Sequence, residues 1–309
     1  MKVHYSADNL PLFHRAAVTS GSFDGVHLGH QKIIRSLIEE ADGRSGESVI
    51  ITFDPHPRNI LHPAEPPLQF LQTVSEKIAA LEKCGVDHLV IIPFTKEFSQ
   101  LSAQDYVRNF LVEKFHPASV VVGYNHHFGH HRDGNVELMR KLGNELGFSV
   151  LEISKQLTED IEISSTRIRV AISEGDILTA NRLLGYSYSI TGTVIHGDER
   201  GRKIGFPTAN IQLNSQVKVL PIQGVYVVNA AMNAAEIRGM MNIGIRPTFN
   251  ETQLSLEVHL LDWSGDLYGR DISVRFLARI RDEKKFDSVE ELVKQLMKDK
   301  FQSAAFRTD

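Results

Sequence analysis

The segment GSFDGVHLGHQK, residues 21–32, decides the fold of the first half of the chain. It follows the short apolar run AAVTSG and leads into HQKIIRSLIEEA, whose apolar residues recur at intervals of three and four. This order predicts a strand, a glycine turn and a helix. Gly21 and Gly25 let the backbone approach a ligand closely, and the unpaired N–H groups at a helix start attract an anion. The segment therefore predicts a phosphate-binding turn.

Two histidines in the same segment add side chains to that turn. His27 and His30 are three residues apart, so the first turn of a helix would place both imidazoles on one face. There they would clamp a phosphate from the side, whereas two ordinary surface histidines are the alternative interpretation. The segment has neither the lysine of a GxxxxGKS/T loop nor the spacing of GxGxxG. The preceding strand and glycine turn favour the phosphate site.

Strand-like and helix-like segments alternate from residue 16 to about residue 153. Such alternation predicts βαβ units, and hence a parallel sheet with helices on both faces and ligands at the carboxyl ends of its strands. The predicted strands are AAVTSG, SVIITF, DHLVIIPF, SVVVGY and FSVLEI. The predicted helices are HQKIIRSLIEEA, TVSEKIAALEKCG, SAQDYVRNFLVEKF and NVELMRKLGNEL. We expect the glycine turn to lie at one of these carboxyl ends.

The pattern changes after residues 165–185, which predict one or two helices closed by Gly185. Over residues 188–280, short β-branched or aromatic runs are separated by Gly, Pro, Asn and Asp. These runs predict a small antiparallel barrel or sandwich. A last helix is predicted to begin after Ser288, with Glu291 completing a capping box.

Length and composition limit the class of protein. The chain has 309 residues, of which 42% are hydrophobic, as expected for a packed globular protein with room for two domains. We assign residues 1–186 to the first domain and residues 187–309 to the second. The net charge of -4 provides no global positive field for nucleic acid or an anionic membrane. The oligomeric state stays open.

Cysteine use and the length of the apolar runs indicate the compartment. A single cysteine, Cys84, excludes an intramolecular disulfide, and the stretch MKVHYSADNL lacks the basic and then apolar build of a signal peptide. No apolar run approaches the roughly 20 residues that a membrane-spanning helix needs. We therefore expect a cytoplasmic protein that binds neither membranes nor nucleic acid.

Four motifs of the first domain occur in the order of a known family. GSFDGVHLGHQ, with its HxGH pattern, resembles the nucleotidyltransferase superfamily. TFDPHP (52–57), VVGYNHHFG (121–129) and ISSTRIR (163–169) are similar to its FMN adenylyltransferase branch. The resemblance covers residues 16–185 and implies a Rossmann-like parallel-sheet domain. In such enzymes the FMN phosphate attacks the α-phosphorus of ATP and pyrophosphate leaves, so catalysis rests on positioning and charge stabilisation.

The resemblance also implies roles for individual residues. His27 and His30 would stabilise charge that develops on the ATP phosphates, and Arg167 would add charged donors. His56, between two prolines, would lie on a rigid loop near the flavin phosphate. Nucleotide and flavin binding would involve Gly21, Ser22, Phe23, Asp24, Gly25, His56, Asn125 and the helix start formed by Ser164, Ser165 and Thr166.

Two positions depart from that family's usual pattern. Ser22 stands where an asparagine is usual, and His126 follows Asn125 where a phenylalanine is usual. Ser22 is shorter than asparagine, whereas His126 keeps a flat ring that can stack. His126 also belongs to an HHxxHH cluster with His127, His130 and His131. Because this cluster is predicted to lie on a loop, we favour histidines beside a nucleotide over a zinc site.

A second motif, GDERGRKIGFPTANI at residues 197–211, opens the second domain's site. Thr208 and Asn210 are two apart, so a strand places both on one face, where their oxygens suit Mg²⁺. A structural turn is the alternative interpretation. GRKIGFPTAN resembles the riboflavin kinase family, and GVYVV, NIGIRPTF, LEVHLLDWSGDLYG and IRDEKKF follow in that family's order. This resemblance covers residues 186–300 and implies an antiparallel β-barrel with a C-terminal helix.

The kinase resemblance implies a catalytic carboxylate, Glu257, that takes the proton from the ribityl 5′-hydroxyl. It implies that Thr208 and Asn210 hold Mg²⁺ bridging the ATP phosphates. Arg281 would lie on a loop near the flavin. Gly197, Lys203 and Gly205 would form the phosphate loop.

Together the motifs predict a bifunctional enzyme that resembles prokaryotic FAD synthetases and uses ATP, riboflavin and FMN as small-molecule substrates. One alternative is a riboflavin kinase whose adenylyltransferase domain is slow or inactive because of Ser22 and His126. Another is a non-catalytic flavin-binding regulatory or storage protein, against which the intact Glu257, Thr208 and Asn210 argue.

Overall fold

The computed structural model describes residues 1–154, 157–158, 161–197, 199–232, 235–247 and 252–307. The chain forms two units, Met1–Ser165 and Thr166–Asp309. The units divide within the helical segment that the sequence assigns to the first domain. The predicted boundary at residues 186 and 187 concerns where one activity ends and the next begins, and it stays a prediction.

The first unit is built on a six-stranded parallel sheet with strand order β1-β4-β3-β2-β5-β6. Its strands are β1 Lys2–His4, β2 Ala17–Ser20, β3 Ser48–Phe53, β4 His88–Ile92, β5 Ser119–Gly123 and β6 Ser149–Ile153. Five of the six were predicted. The sequence missed β1, which has three residues and no apolar run and which pairs along the edge of β4.

Helices and a short hairpin connect and cover these strands. The helices are α1 Leu28–Gly43, α2 Pro57–Leu61, α3 Val74–Lys83, α4 Ala103–Asp105, a π-helical stretch Tyr106–Val112, α5 Glu113–Phe115 and α6 Val136–Leu146. Short 3₁₀ turns cover Phe98–Gln100 and His130–Arg132, and the hairpin consists of β7 Leu157–Thr158 and β8 Ile161–Glu162. The predicted helix at residues 102–115 thus contains a π-helical middle.

Each face of the parallel sheet has its own hydrophobic core. Val49 and Ile51 of β3 pack in one cluster with Phe110 of the π-helical stretch. Ile50, between them, points the other way and packs in a second cluster with Leu37 of α1. Side chains alternate along a strand, so a strand buried on both faces is apolar throughout. The prediction of a parallel sheet with helices on both faces is confirmed.

The second unit begins with two helices and continues as a closed antiparallel barrel. The helices are α7 Ser165–Glu174, α8 Ile177–Leu184, α9 Arg200–Lys203 and α10 Val289–Ala305. The strands are β9 Ser189–Ile195, β10 Ala209–Leu213, β11 Gly224–Met232, β12 Ala235–Pro247, β13 Thr252–Leu260 and β14 Asp271–Arg281. They close in the order β10-β13-β12-β11-β14-β9. Of the predicted barrel and sandwich, the structure has the barrel.

The predicted signals at the ends of the second unit's helices are confirmed at Gly185 and in part at Ser288. Gly185 ends α8 in a left-handed conformation with φ of 79°, which glycine adopts without steric cost. Ser288 precedes α10, and its side chain accepts a hydrogen bond from the Glu291 N–H at 3.1 Å, but the return bond from the Ser288 N–H to the Glu291 side chain that completes a capping box is not formed. In the parts of the chain that the structure describes, no helix has the length and apolarity needed to cross a bilayer.

Candidate active sites

The first candidate site lies where the order of strands in the parallel sheet reverses. From β2 the chain moves outward through β3 and β4, then returns to add β5 on the other side of β2. Such a switch point opens a crevice at the carboxyl ends of the strands. The turn at residues 21–27 leaves β2 at this edge, as the sequence predicts, and the Gly21 N–H donates to the Ile51 carbonyl at 3.0 Å.

The turn has a tight backbone held by buried side chains. Gly25 has a φ of 87°, and Phe23 and Val26 also adopt positive φ values. Phe23 and Val26 are each 2% exposed, so packing holds these unusual conformations. Asp24 is 1% exposed, and its carboxylate accepts the N–H groups of residues 71 and 72, the first at 3.0 Å. Asp24 therefore holds the turn to the segment that precedes α3.

The second phosphate motif of the first domain reaches the same turn. Ser165 is the first residue of α7, and its hydroxyl donates a hydrogen bond of 2.8 Å to the Asp24 carbonyl. Ser164 precedes it, and Thr166 and Arg167 follow in the first helical turn with exposed side chains. The predicted helix start at these serines is thus present, while the roles of Thr166 and Arg167 toward a nucleotide stay predictions.

His27 and His30 form a stacked pair at the start of α1. His27 is the N-cap residue, and its Nδ1 accepts the His30 N–H at 3.2 Å. The two ring centroids are 3.6 Å apart with an interplanar angle of 14°. A side chain on Gly29 would meet the His27 ring at 3.2 Å, so glycine leaves room for the stack. The predicted common face of the two imidazoles is confirmed.

The surroundings of the His30 ring favour its uncharged form. Burial is the largest cause that lowers the pKa of His30 well below its ordinary value, and nearby His27 and Lys77 lower it further. His30 Nδ1 is buried and, among the described residues, has no hydrogen-bond partner. At neutral pH the His30 ring is therefore uncharged, so it can form hydrogen bonds but carries no positive charge.

Sequence reasoning missed Lys77, which lies beside this pair on α3. Lys77 is 8% exposed, and its Nζ donates to the Ser22 carbonyl at 2.7 Å and to Thr52 Oγ1 at 3.4 Å. Helical spacing places Lys77 between Val74 and Leu81 on the face of α3 that packs on the core. A lysine on an apolar helical face was the signal that could have revealed it.

Two other predicted residues of the first site lie on the loops after β3 and β5. His56 lies at the end of the loop after β3, where it is the N-cap residue of α2, and its Nδ1 accepts the Arg58 N–H at 3.2 Å. Pro57 follows as the first residue of α2, a position that proline favours. Asn125 is exposed and follows β5, the strand on the far side of the switch point from β3.

The four clustered histidines lie around the 3₁₀ turn after β5. The His126 ring stacks on Phe128 with centroids 5.7 Å apart, and burial lowers the pKa of His126 to about 4. His126 Nε2 is buried and has no hydrogen-bond partner among the described residues. The rings of His130 and His131 are 3.7 Å apart, and His130 Nδ1 lies 3.1 Å from the Ser99 carbonyl.

Among the residues that the structure describes, no group of three or more His, Cys, Asp or Glu side chains is arranged to hold a metal ion.

The second candidate site lies on the barrel around Glu257. Glu257 Oε1 accepts the Ser255 hydroxyl at 2.9 Å, and Oε2 accepts the Thr208 hydroxyl at 3.1 Å. Asn210 of β10 is directly opposite Glu257 of β13 in the antiparallel register. The structure therefore brings together the predicted carboxylate and both predicted metal ligands.

Two cavities of similar size meet at this cluster. One has a volume of about 610 Å³ and is lined by residues that include Pro207, Thr208, Trp263 and Tyr268. The other has a volume of about 590 Å³ and is lined by residues that include Thr208, Glu257, Arg281 and Phe286. Thr208 contributes to both walls. Volumes in this range suit nucleotide-sized or flavin-sized ligands.

The predicted phosphate loop contains a short helix. Lys203 is the last residue of α9 and is exposed, and Gly205 follows with a φ of 82°. Gly197 lies against Asn210, because a Cβ on Gly197 would be 2.1 Å from Asn210 Nδ2. A side chain at residue 197 would therefore displace the Asn210 carboxamide, the predicted metal ligand.

Arg281 was predicted on a loop, but it is the last residue of β14 and lines the second cavity. The hydrogen-bonded ladder to β11 extends as far as Val225 opposite Arg281, which keeps this residue in the strand. Its guanidinium makes a two-pronged ion pair with Asp299 of α10, with Nε to Oδ1 at 3.1 Å and Nη2 to Oδ2 at 2.7 Å. Asp299 is fully buried, and sequence reasoning missed it.

These features define a nucleotidyltransferase-like α/β unit joined in one chain to a kinase-like barrel. The FAD synthetase family matches residues 11–167, and the riboflavin kinase family matches residues 184–306. A protein of Listeria monocytogenes named "Bifunctional riboflavin kinase/FMN adenylyltransferase" is 41% identical over 287 residues, which cover 93% of this chain and 90% of that protein. A protein of Escherichia coli with the same name is 38% identical and covers 94% and 92%.

The chain belongs to this family of bifunctional riboflavin kinase/FMN adenylyltransferases. A solved structure from Streptococcus pneumoniae, named "Macrolide-efflux Protein", is 31% identical to the chain. It superposes with a TM-score of 0.91 and covers 99% of each chain. It therefore shares the fold along nearly the whole length.

Proposed function

We propose that the barrel phosphorylates riboflavin to FMN and that the α/β unit adenylylates FMN to FAD with release of pyrophosphate, both with Mg·ATP. The observation that carries this proposal is the meeting of two cavities at Thr208, beside the carboxylate of Glu257. A kinase needs one cavity for the phosphoryl donor and one for the acceptor, with a base where they meet. Family membership supports the same pair of reactions.

The kinase step uses Glu257 as the general base. The ribityl 5′-oxygen of riboflavin attacks the γ-phosphorus of ATP, the bond from that phosphorus to the bridging oxygen breaks, and ADP leaves. The hydroxyl proton passes to the Glu257 carboxylate. The hydroxyls of Ser255 and Thr208 each donate to this carboxylate and hold it in one orientation. Arg281 lines the acceptor cavity and is kept in place by Asp299.

Magnesium fits the donor set around Glu257. Thr208 and Asn210 offer a hydroxyl and a carboxamide oxygen of the kind that Mg²⁺ prefers, and Gly197 leaves space next to the Asn210 side chain. When bound, the ion would neutralise charge on the ATP phosphates. We assign Thr208 and Asn210 to hold it, and Gly197, Lys203 and Gly205 to shape the phosphate loop.

The adenylyltransferase step needs no nucleophile from the protein. An FMN phosphate oxygen attacks the α-phosphorus of ATP, the bond from that phosphorus to the bridging oxygen breaks, and pyrophosphate leaves with the electron pair. The N–H groups at the start of α1 and the stacked pair His27 and His30 stabilise the charge that develops. Arg167 and the helix start at Ser164, Ser165 and Thr166 are assigned to the leaving phosphates.

The two departures from the family pattern are compatible with adenylylation. Ser22 receives Lys77 and Thr52 through its backbone carbonyl, a contact that any side chain at residue 22 would keep. His126 stacks on Phe128 as an aromatic residue would. This favours a working adenylyltransferase over a chain that is a kinase only.

A time course of products tests the proposal. The chain is incubated with riboflavin, ATP and Mg²⁺, and flavins are separated by chromatography. FMN should rise and then yield to FAD. Glu257→Gln should lower FMN formation about 10²–10⁴-fold and leave FAD formation from added FMN intact. His30→Ala should do the reverse, with a loss of about 10²–10³-fold.

A matched control is Glu236→Gln, which makes the same change at an exposed glutamate of β12. It should leave both steps unchanged. A chain that consumes no riboflavin would overturn the enzymatic proposal, and FMN accumulating without FAD would leave only the kinase.

The cytoplasm is the compartment that we propose for these reactions. It rests on the single cysteine, which cannot form a disulfide within the chain. Cell fractionation with an antibody against the chain tests it, and recovery in a membrane or extracellular fraction would contradict it.

A further inference from the structure

Lys77 is a buried cation that the proposed mechanism does not yet use. It lies in the first turns of α3 with 8% of its surface exposed. Burying an ammonium group is costly unless a counter-charge or a ligand compensates it. Among the described residues, no carboxylate lies within ion-pair distance of Lys77 Nζ. Its hydrogen-bond partners are two neutral oxygens, the Ser22 carbonyl and Thr52 Oγ1.

The two partners of Lys77 lie at the phosphate-binding edge of the sheet. Ser22 is in the glycine turn after β2, and Thr52 is next to the last residue of β3. Thr52 Oγ1 itself donates to the Ser22 carbonyl at 3.2 Å, so the Lys77 ammonium and the Thr52 hydroxyl converge on one oxygen. This arrangement ties the turn to two strands and to α3 at once.

The titratable groups that interact with Lys77 lie at the same edge of the sheet. The carboxylates of Asp24 and Asp54 are close enough to favour its charged form, although burial lowers its pKa from the ordinary value. Lys77 also acts on His30, whose ring it helps to keep uncharged. An ammonium has three N–H donors, and the two hydrogen bonds above use two of them.

We propose that Lys77 is a positioning residue of the adenylyltransferase site, which fixes the glycine turn through the Ser22 carbonyl and directs a positive charge toward a bound phosphate. This inference rests on the proposed function of the α/β unit. The phosphate belongs either to ATP or to FMN, and because the turn leads directly into the His27 and His30 pair we expect ATP.

The test compares three variants on the full chain with Mg²⁺ and added FMN. Lys77→Met removes charge and donors at similar volume, and Lys77→Gln keeps an N–H donor without the charge. Lys83→Met makes the same change at an exposed lysine of the same helix. Initial rates of FAD formation are measured against ATP and against FMN separately, and riboflavin phosphorylation is measured in the same preparations.

The expected result separates positioning from folding. Lys77→Met should raise the KM for ATP, lower kcat/KM for FAD formation by about 10–100-fold and leave FMN formation within about twofold of wild type. Lys77→Gln should raise the KM for ATP with a smaller loss of kcat. Lys83→Met should behave as wild type. A merely structural lysine would instead lower the melting temperature without a selective change in KM.

Each other outcome is also decisive. Wild-type KM and kcat in Lys77→Met would overturn the inference while leaving the adenylyltransferase proposal intact. An increase confined to the KM for FMN would assign the charge to the flavin phosphate. If Lys77→Met fails to fold, Lys77→Gln decides, because wild-type kinetics there would overturn the role of the charge. If the wild-type chain makes no FAD from FMN, the proposed function fails and the inference with it.

Discussion

The two candidate sites differ in whether their polar groups are paired within the protein. On the barrel, both oxygens of Glu257 accept hydroxyl groups, and Arg281 is paired with buried Asp299. At the α/β site, Lys77 is bonded only to neutral oxygens, and His30 Nδ1 is buried without a partner among the described residues. The charged groups at the barrel site thus have partners within the protein. At the α/β site, a charged ammonium and a ring nitrogen can still interact with a ligand.

The proposed chemistry gives a reason for this difference. A general base must be held in one orientation and in its charged form before substrate arrives, so it benefits from fixed donors. A site that only orients and neutralises phosphates must instead present groups that the ligand will satisfy. Unsatisfied buried groups cost stability in the free protein, and ligand binding offsets that cost. Removing one of the buried polar groups named above should therefore destabilise the free protein at the barrel site but not at the α/β site.

The largest effect on stability is expected at the barrel site, where Arg281 and Asp299 are paired. Asp299→Ala leaves the Arg281 guanidinium without its buried partner, and Arg281 keeps 18% of its side chain exposed. We expect a loss of about 2–4 kcal/mol in the free energy of unfolding of the barrel, together with a raised KM for riboflavin. Urea unfolding and kinase kinetics measure the two effects.

The control for Asp299 is a second carboxylate that forms an ion pair with α10, but one that is exposed. Asp262 is 90% exposed and pairs with Lys300 of α10 at 3.4 Å. Asp262→Asn should cost less than about 1 kcal/mol, because exposed pairs contribute little and asparagine tolerates the φ of 52° at this residue. Equal losses in the two variants would contradict the view that the buried pair organises the cavity beside Glu257.

The second effect is a dependence of stability on pH, which is expected in the α/β unit. His126 has a pKa of about 4 in the folded chain because burial disfavours its charged form. As pH falls below about 6.5 the unfolded chain takes up a proton first, so stability falls from there until the folded pKa is passed. Between pH 7.5 and pH 5, His126 alone should cost about 2 kcal/mol. His126→Phe should remove that loss, measured as the urea midpoint at the two pH values.

A direct titration gives an independent check on His126. The ring Cε1 proton, assigned by its disappearance in His126→Phe, should titrate near pH 4 in the folded chain. His127→Phe replaces an exposed neighbour and should leave the pH dependence of stability as in wild type. A midpoint near 6.5 for the His126 resonance would show that the ring is solvated and would remove this contrast between the sites.

Much of this architecture was predictable because it follows from periodicity. Strand alternation and helix spacing located five of the six parallel strands, and the three-residue spacing of His27 and His30 placed their rings on one face. The contact from Ser165 to Asp24 was not predictable, since it joins residues 141 positions apart through a backbone carbonyl. The edge strand β1 is too short to show a pattern.

The residues that sequence reasoning missed share a physical cause. Lys77 and Asp299 lie on the buried faces of their helices, yet charged residues are almost never fully buried unless paired, so the sequence alone singled out neither of them. Their partners are distant in sequence or are backbone atoms, as with Arg281 18 residues from Asp299 and the Ser22 carbonyl 55 residues from Lys77. A charge at an apolar position of a helix is the pattern that marks both.

The smallest effects are expected at two helix caps, each of which precedes a helix of a different site. Thr73 and Glu76 form a capping box before α3, the helix of Lys77, and Ser288 caps α10, the helix of Asp299. Thr73→Ala and Ser288→Ala should each cost about 1 kcal/mol of stability, whereas Thr73→Ser and Ser288→Thr keep the hydroxyl and should cost less.

The contrast between the caps lies in which reaction each one slows. Thr73→Ala should reduce FAD formation from FMN by less than Lys77→Met does, because it loosens the helix that holds the ammonium without removing it. Ser288→Ala should act on FMN formation alone, since Ser288 lines the cavity beside Glu257. Rates of both steps in both variants decide this. If either cap variant slows the two reactions equally, the helices support folding in general and do not position the separate sites.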